Sequence, residues 1–385
     1  MNVIFLECVD SYGYGFSAGA SKVTMMAKGL HAAGATCFVN NGIAGSTCVS
    51  ADEIKEVDGV EVTTYKSSSN GYAYYFWLPI RNFPKLWNYL KSHRDKSDKN
   101  IVILTTPLFH IFVLYTLLCR ILGYRIACIS HEWIPTLNHT GFRDKYYNDP
   151  LYTKFFGYLV HALLPISEYI IEKCQRFKKP FFKVPALADY PDLLPQPDVQ
   201  REHYFLYCAQ AGYFRIAKFI IDSYKLYFDN KGNYTLRMIM AGTEQDINKI
   251  CKYVLSLDLG KEIVIESKLP YDILLSRYRN ASALLIPLDP DYEQDSARFP
   301  QKIAEYAASA SPIIATNIGE IKTYFSVENC IRTEFSVESF ANSFSWVERN
   351  PSRAKEIGIN GFRLGEKKFN CMNVCNDLFD FLKTI

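Results

Sequence analysis

The chain lacks every short Cys/His spacing that would hold zinc. Its 11 cysteines are an odd, scattered set with no CxxC pair, which excludes a zinc ribbon or a dense disulfide scaffold. Several of them, such as Cys37, Cys128 and Cys208, sit in apolar strand-like runs, where a thiol acts as a small hydrophobe, and a reducing compartment is expected. A basic stripe is missing too. A formal net charge of +3 over 385 residues leaves no electrostatic case for nucleic acid as a partner. The opening MNVIFLECVD has no positive n-region and too short an apolar run for a signal peptide, so the expected location is cytoplasmic. An uninterrupted run of about 20 apolar residues, the length of a membrane span, is also absent. The most apolar stretch, residues 101–129, is broken by Pro107, His110, Arg120, Gly123 and Arg125. It reads as a buried strand, a helix and a second buried strand.

What is present suits two packed domains. The length exceeds one ordinary domain, and 49% hydrophobic against 22% charged residues supplies their cores. Aromatics reach 15%, enough to suggest ring surfaces for sugars or for a membrane interface. The N-terminal half alternates strand and helix. NVIFLEC is followed by the glycine-rich SYGYGFSAGAS, a helix through Val23, Met26, Ala27 and Leu30, and the strand ATCFVN. Strand-like runs recur at 60–65, 101–106 and 125–130, with FFKVPA as the last strand of this half. This alternation predicts a parallel sheet covered on both faces. The proline-rich, acidic ALADYPDLLPQPDVQREH (186–203) reads as a linker. The second half then repeats the scheme from YFLYCAQ to SPIIATN and ends in helices. The expected division is an N-terminal domain over 1–188, a C-terminal domain over 200–365, and a helix at 366–385 that packs back on the first domain.

Residues 281–320 carry the strongest local pattern. A buried strand ends at Pro287, and a polar loop of about a dozen residues follows, long for a connection of this kind. Pro300 is placed for a first helical turn. Lys302, Glu305 and Ser309 share one helix face, while Phe299, Ile303 and Ala307 share the other. A helix N-terminus at the end of a strand suits an anion. A carboxylate one turn further in can accept two hydrogen bonds from a diol such as a ribose.

This segment, RFPQKIAEY followed by SPIIATNIG, resembles the donor-binding stretch of group 1 (family 4) glycosyltransferases. The resemblance implies the GT-B fold, α/β with two Rossmann-like domains facing each other across a cleft. It implies that Glu305 binds the donor ribose and that the backbone after Phe299, near Pro300 and Lys302, lies by the diphosphate. A glutamate usual in the family eight residues earlier is replaced here by Ala297, and a usually glycine-bearing turn by Ser309-Ala310-Ser311. In CAQAGYFRIAKF (208–219), Gly212 and Lys218 match a family G-R-x-x-x-x-K pattern that grips the diphosphate. Tyr213 takes the usual arginine place and Arg215 follows two residues later. Gly15 and Gly19 belong to the loop that closes over donor and acceptor in the family. His131, just past the strand RIACIS, matches a histidine that contacts the transferred sugar, and it is expected with Lys218 to be catalytic.

The resemblance thus implies a retaining, metal-independent hexosyltransferase. Its substrate would be a nucleotide-diphosphate sugar with no separate cofactor, and its acceptor a glycan or lipid-linked hydroxyl in polysaccharide or glycoconjugate synthesis. Asp289-Pro290-Asp291 mimics a metal-binding DxD but follows a C-terminal-half strand, and no metal is expected. The aromatic and basic stretch 71–96 is the candidate for peripheral contact with the inner membrane surface. The alternatives are a non-catalytic partner subunit and a nucleotide-sugar epimerase of the same fold.

Overall fold

The computed structural model describes residues 1–6, 18–41, 51–66, 72–137, 141–190 and 201–385. The chain divides into two compact units. Unit 1 comprises Met1–Asp189, Ala297–Gln301 and Phe369–Ile385, and unit 2 comprises Tyr190–Ser296 and Lys302–Lys368. The five residues 297–301, expected with the C-terminal half, therefore count with unit 1.

Unit 1 runs β1 (Asn2–Leu6), α1 (Ala18–Ala32), β2 (Thr36–Asn40), β3 (Glu53–Val57), β4 (Val60–Thr64), α2 (Tyr72–Ser92), β5 (Asn100–Leu104), α3 (Phe109–Ile121), β6 (Arg125–Ser130), α4 (Asp149–Leu159), β7 (Ala162–Pro165) and α5 (Glu168–Cys174). The strands form one sheet in the order β3-β4-β2-β1-β5-β6-β7. All neighbours are parallel except the edge pair β3–β4. Residues 101–129 do form the strand–helix–strand read from their interruptions, and among the described residues no helix is long and apolar enough to cross a membrane. Two local readings are corrected. The hairpin strand β3 was not anticipated, because Glu53–Val57 alternates half-buried and exposed positions and has no apolar run. FFKVPA forms no strand, only an isolated bridge from Phe181 to Leu163.

The α1 positions Val23, Met26, Ala27 and Leu30 are buried on the sheet, as their 3.6-residue spacing requires. The C-terminal helix of the chain contributes Cys371, Val374, Cys375, Leu378 and Leu382 to the same core. It packs on α1 at Gly29, where a Cβ would lie 2.6 Å from both the Cys371 carbonyl oxygen and the Cys375 Cβ.

Unit 2 runs β8 (Tyr204–Gln210), α6 (Phe214–Asp229), β9 (Thr235–Ala241), α7 (Glu244–Ser256), β10 (Ile263–Glu266), α8 (Tyr271–Asn280), β11 (Ala283–Ile286), α9 (Glu293–Ala297), α10 (Lys302–Ala308), β12 (Ile313–Thr316), α11 (Gly319–Tyr324), β13 (Ile331–Thr333), α12 (Val337–Arg349) and α13 (Pro351–Lys368). Two parts of this run, the end of α9 at Ala297 and the residues up to Gln301, belong by contact to unit 1. The chain ends with α14 (Cys371–Thr384), the helix already seen on α1. The second sheet is wholly parallel, in the order β10-β9-β8-β11-β12-β13. Its core joins the α6 face Ile216, Ala217, Ile220, Ile221 and Tyr224 to β8, β9 and α12.

Helix starts are supplied locally. Ser167, Thr243 and Ser336 each accept a hydrogen bond from an amide of the first turn, at Ile170, Asp246 and Ser339. Arg201 binds the carbonyls of Arg279, Ala281 and Ala310 together with the Ser311 hydroxyl, which ties the entry of β11 to the turn before β12. That turn places Ala310 at φ 56°, a left-handed conformation that glycine adopts more readily.

Candidate functional site

In both sheets the chain winds outward from a central pair of strands, β1 and β5 in unit 1 and β8 and β11 in unit 2. The carboxyl end of such a pair is where open α/β sheets bind ligands. In unit 2 that end is made by the turn Ala211–Tyr213 and the segment after Ile286.

The turn leads into α6. Gly212 has open space around its Cα, with nothing within 4 Å of where a Cβ would stand. The 16-residue α6 has no acidic residue in its first turn, so its free amides offer a positive end. Arg215 lies in that first turn. Its guanidinium pairs with the buried carboxylate of Asp289 and lies 5.7 Å from the Tyr292 ring centroid. Asp289 is fixed in turn. Its own amide donates to Asp295, and its other oxygen accepts from the Asp291 amide at 2.9 Å. The Leu288 amide donates to the Thr316 hydroxyl, tying the ends of β11 and β12. The DxD-like pair is thus part of a loop knitted to an arginine. Asp295 spends one carboxylate oxygen on the Asp289 amide.

Glu305 lies in α10, whose first residue is Lys302; Pro300 precedes the helix by two residues rather than opening it. The Tyr271 hydroxyl donates to the Glu305 carboxylate, and Lys302 adds a favourable charge, yet burial dominates and raises the pKa from 4.5 to about 7. Lys218 sits one turn beyond Arg215 on α6. Its ammonium pairs with Asp222 at 2.5 Å and lies 4.8 Å from the Tyr253 ring centroid, while Tyr253 donates to the same Asp222. The structure therefore brings Arg215 to the β11 loop and turns Lys218 toward α7. Phe299 and Pro300 belong to the stretch held in unit 1. There Ser167 donates to the Ala297 carbonyl, the Gln301 side chain bonds the Leu187 backbone, and the Phe299 ring meets Phe369 edge-on at 5.5 Å.

In unit 1, His131 follows β6 and Gly19 lies in the first turn of α1; Gly15 lies outside the described residues. Burial, aided by the nearby Lys22 ammonium, lowers the His131 pKa to about 3, so its imidazole is neutral at pH 7. Lys22 is itself buried and donates to the Val184 carbonyl at 2.7 Å. Asp289, Tyr271 and Lys22 were not named as site residues from the sequence. Only Asp289 carried a signal, its place just past a buried strand. Tyr271 and Lys22 are separated from their partners by 34 and 109 positions in the sequence, which no local pattern reveals.

Two doubly wound α/β units with this order of elements define the GT-B architecture, and solved structures agree. Sucrose-phosphate synthase from Thermosynechococcus elongatus superimposes with a TM-score of 0.74 at 13% identity, covering 100% of this chain and 98% of that one. The Anabaena protein HepE, solved in complex with UDP-glucose, gives 0.72 at 11% identity with full coverage of both chains. A glycosyltransferase from Rickettsia africae gives 0.70 at 14% identity, covering 100% of this chain and 98% of that one. The chain has the GT-B fold. No protein-family model matches the sequence, and no curated protein sequence matches it.

Proposed function

We propose that the chain is a glycosyltransferase that moves a hexosyl unit from a nucleotide-diphosphate sugar to a hydroxyl of a glycan or lipid-linked acceptor. The observation that carries this reading is the meeting of Arg215 and Asp289 at the β8/β11 switch point, beside the open turn at Gly212. Support comes from solved proteins of the same fold that hold UDP, UDP with glucose, or UDP-glucose.

The hard step is departure of the nucleoside diphosphate, which takes both electrons of the anomeric C–O bond and leaves positive charge on the sugar. In this proposal the α6 amides and the Arg215 guanidinium stabilise the departing phosphate oxygens. Lys218 joins them by exchanging Asp222 for the diphosphate. Glu305, oriented by Tyr271, accepts from the ribose hydroxyls. Phe299, Pro300 and Lys302 line the approach to the diphosphate, and Gly15 and Gly19 let the first loop come close to donor and acceptor. Neutral His131 hydrogen-bonds the transferred sugar without adding charge. We further propose transfer with retention, no metal and no separate cofactor, a cytoplasmic location with peripheral membrane contact, and no nucleic-acid partner. The acceptor binds the 1–188 domain and the donor the 200–365 domain, and the helix at 366–385 belongs with the former.

A thermal-shift screen of UDP, GDP and their sugars tests this reading, with Glu305→Ala as the control. The expected result is an upward shift by one nucleotide family that the variant loses. If no nucleotide moves the melting point of the unmodified chain, the reading fails. Nucleotide binding without release of UDP or GDP in the presence of any glycan acceptor would favour a non-catalytic subunit, to which the alanine at 297 already lends weight.

A further inference from the structure

The helices α3 and α4 of unit 1 lie side by side and run the same way. The Phe109 amide at the start of α3 donates to Asn148 beside the start of α4, and Arg120 near the end of α3 donates to the Leu159 carbonyl at the end of α4. Both expose large apolar side chains on their outer faces. On α3 these are Leu117 and Ile121, the latter 71% exposed. Along α4 and the turn before it they are Phe142, Tyr146, Leu151, Phe155 and Tyr158, with Phe142 69% and Tyr158 54% exposed.

Their spacings of four, five, four and three would drift off one face of a regular α-helix at the step of five. A π-helical turn, Asp144–Asn148, falls at that step. Its wider coil takes up the extra residue, so the five side chains form one continuous stripe. The opposite side of α4 is ordinary core, with Tyr152 and Phe156 buried.

Cations border the stripe. Lys145 and Lys154 lie 5.4 Å from the ring centroids of Tyr146 and Phe155 respectively. At the far end, Arg120, Arg125 and Lys179 lie near His161, whose pKa is lowered to about 4 by burial first and by these cations second. Among the described residues none of these five cations has a carboxylate at ion-pair distance. Scattered exposed apolar residues need no explanation, but a contiguous aromatic stripe edged by unpaired cations does.

We propose that the outer face of α3 and α4 docks on an anionic lipid bilayer, with the rings at the level of the headgroups and the lysines and arginines on the lipid phosphates. The chemistry fits at both levels. Tyr and Phe settle in the interfacial layer, and long basic side chains reach from an apolar face to phosphate. A second copy of the chain fits less well, because two-fold pairing of this face would set its cations against themselves. The Phe142 end of the stripe lies at the carboxyl ends of the strands, the end that carries His131. The surface is distinct from residues 71–96, where the sequence first suggested such contact.

The experiment is flotation of the full chain with vesicles of phosphatidylcholine alone and of phosphatidylcholine with about a third phosphatidylglycerol. The chain is expected to float with the anionic vesicles and to be released by high salt. Lys145→Glu with Lys154→Glu should lower the partition coefficient by about ten-fold or more. Phe142→Ser with Tyr146→Ser and Ile121→Ser should abolish flotation while leaving the melting temperature unchanged. No flotation with anionic vesicles, or equal flotation of parent and variants, overturns the proposal. So does a dimer, seen by light scattering, that the apolar variants split without any lipid binding. The assay uses no nucleotide or acceptor, so its outcome is independent of the transferase reading.

Discussion

Arg215, more than half exposed at the start of α6, is paired with Asp289, which is buried at the end of β11. One side chain thus spans the two central strands of the second sheet, its charge set by a partner that cannot turn to solvent. If this guanidinium stabilises the leaving diphosphate, Arg215→Ala should lower kcat/KM by about 100-fold, the usual scale for losing one such charged donor. Asp289→Asn keeps the shape and loses the orienting charge, and about a ten-fold loss is expected. Lys218→Ala, whose ammonium is held by Asp222 and Tyr253 toward α7 and not at the β11 loop, should cost less than Arg215→Ala. Steady-state kinetics on the three variants decides the order, and an Arg215→Ala enzyme with parental kcat/KM removes the arginine from the mechanism.

Glu305 predicts a pH dependence of both stability and binding. Its carboxyl titrates near 4.5 when unfolded and at about 7 in the fold. Between those values the folded chain holds the extra proton, so this group's stabilising contribution is present below pH 4.5 and is lost as pH rises through 7. Urea unfolding should show a loss of order 2 kcal/mol across that window, absent in Glu305→Gln. Donor affinity should move the other way, rising from about pH 6 to about pH 8, because the carboxylate accepts both ribose hydroxyls and the acid does not. Calorimetric titration at the two pH values that finds the same affinity would mean the carboxyl does not meet the ribose.

Two glycines should respond in opposite ways to alanine. At Gly29 the new methyl would be forced against the Cys371 carbonyl and Cys375, and Gly29→Ala should destabilise the chain by about 2–3 kcal/mol. At Gly212 a methyl meets nothing, so Gly212→Ala should leave stability within about 0.5 kcal/mol of the parent while weakening nucleotide binding. Denaturant midpoints and thermal shifts separate the two. A neutral Gly29→Ala would show that α14 does not seat on α1 as described.

Much of the fold was legible because its signals are local. Val23, Met26, Ala27 and Leu30 announce a helix by spacing alone, and the apolar runs at 101–104 and 283–286 announce strands buried on both faces. The edge strand Glu53–Val57 was not legible, because a half-exposed strand needs no apolar run. FFKVPA looked like a strand and does run along the free edge of β7, but Pro165 of β7 has no amide to donate, so the ladder stops at an isolated bridge. Within the site, Glu305 and Gly212 stood out through motif and spacing. The roles of Asp289, Tyr271 and Lys22 did not, since each depends on a partner far away in the chain.

The sequence by itself determined the class of architecture: alternating apolar strands and amphipathic helices can bury their faces only as doubly wound α/β units. It also determined which helices carry the cations and the carboxylate of the candidate site. Tertiary structure alone decided how those charges are used. Strand order sets β8 beside β11, and that adjacency lets Arg215 reach Asp289, while helix packing sets α6 beside α7 and holds Lys218 on Asp222 and Tyr253. A charge on a helix has several partners within reach of its side chain, and only the packing of the neighbouring element selects one.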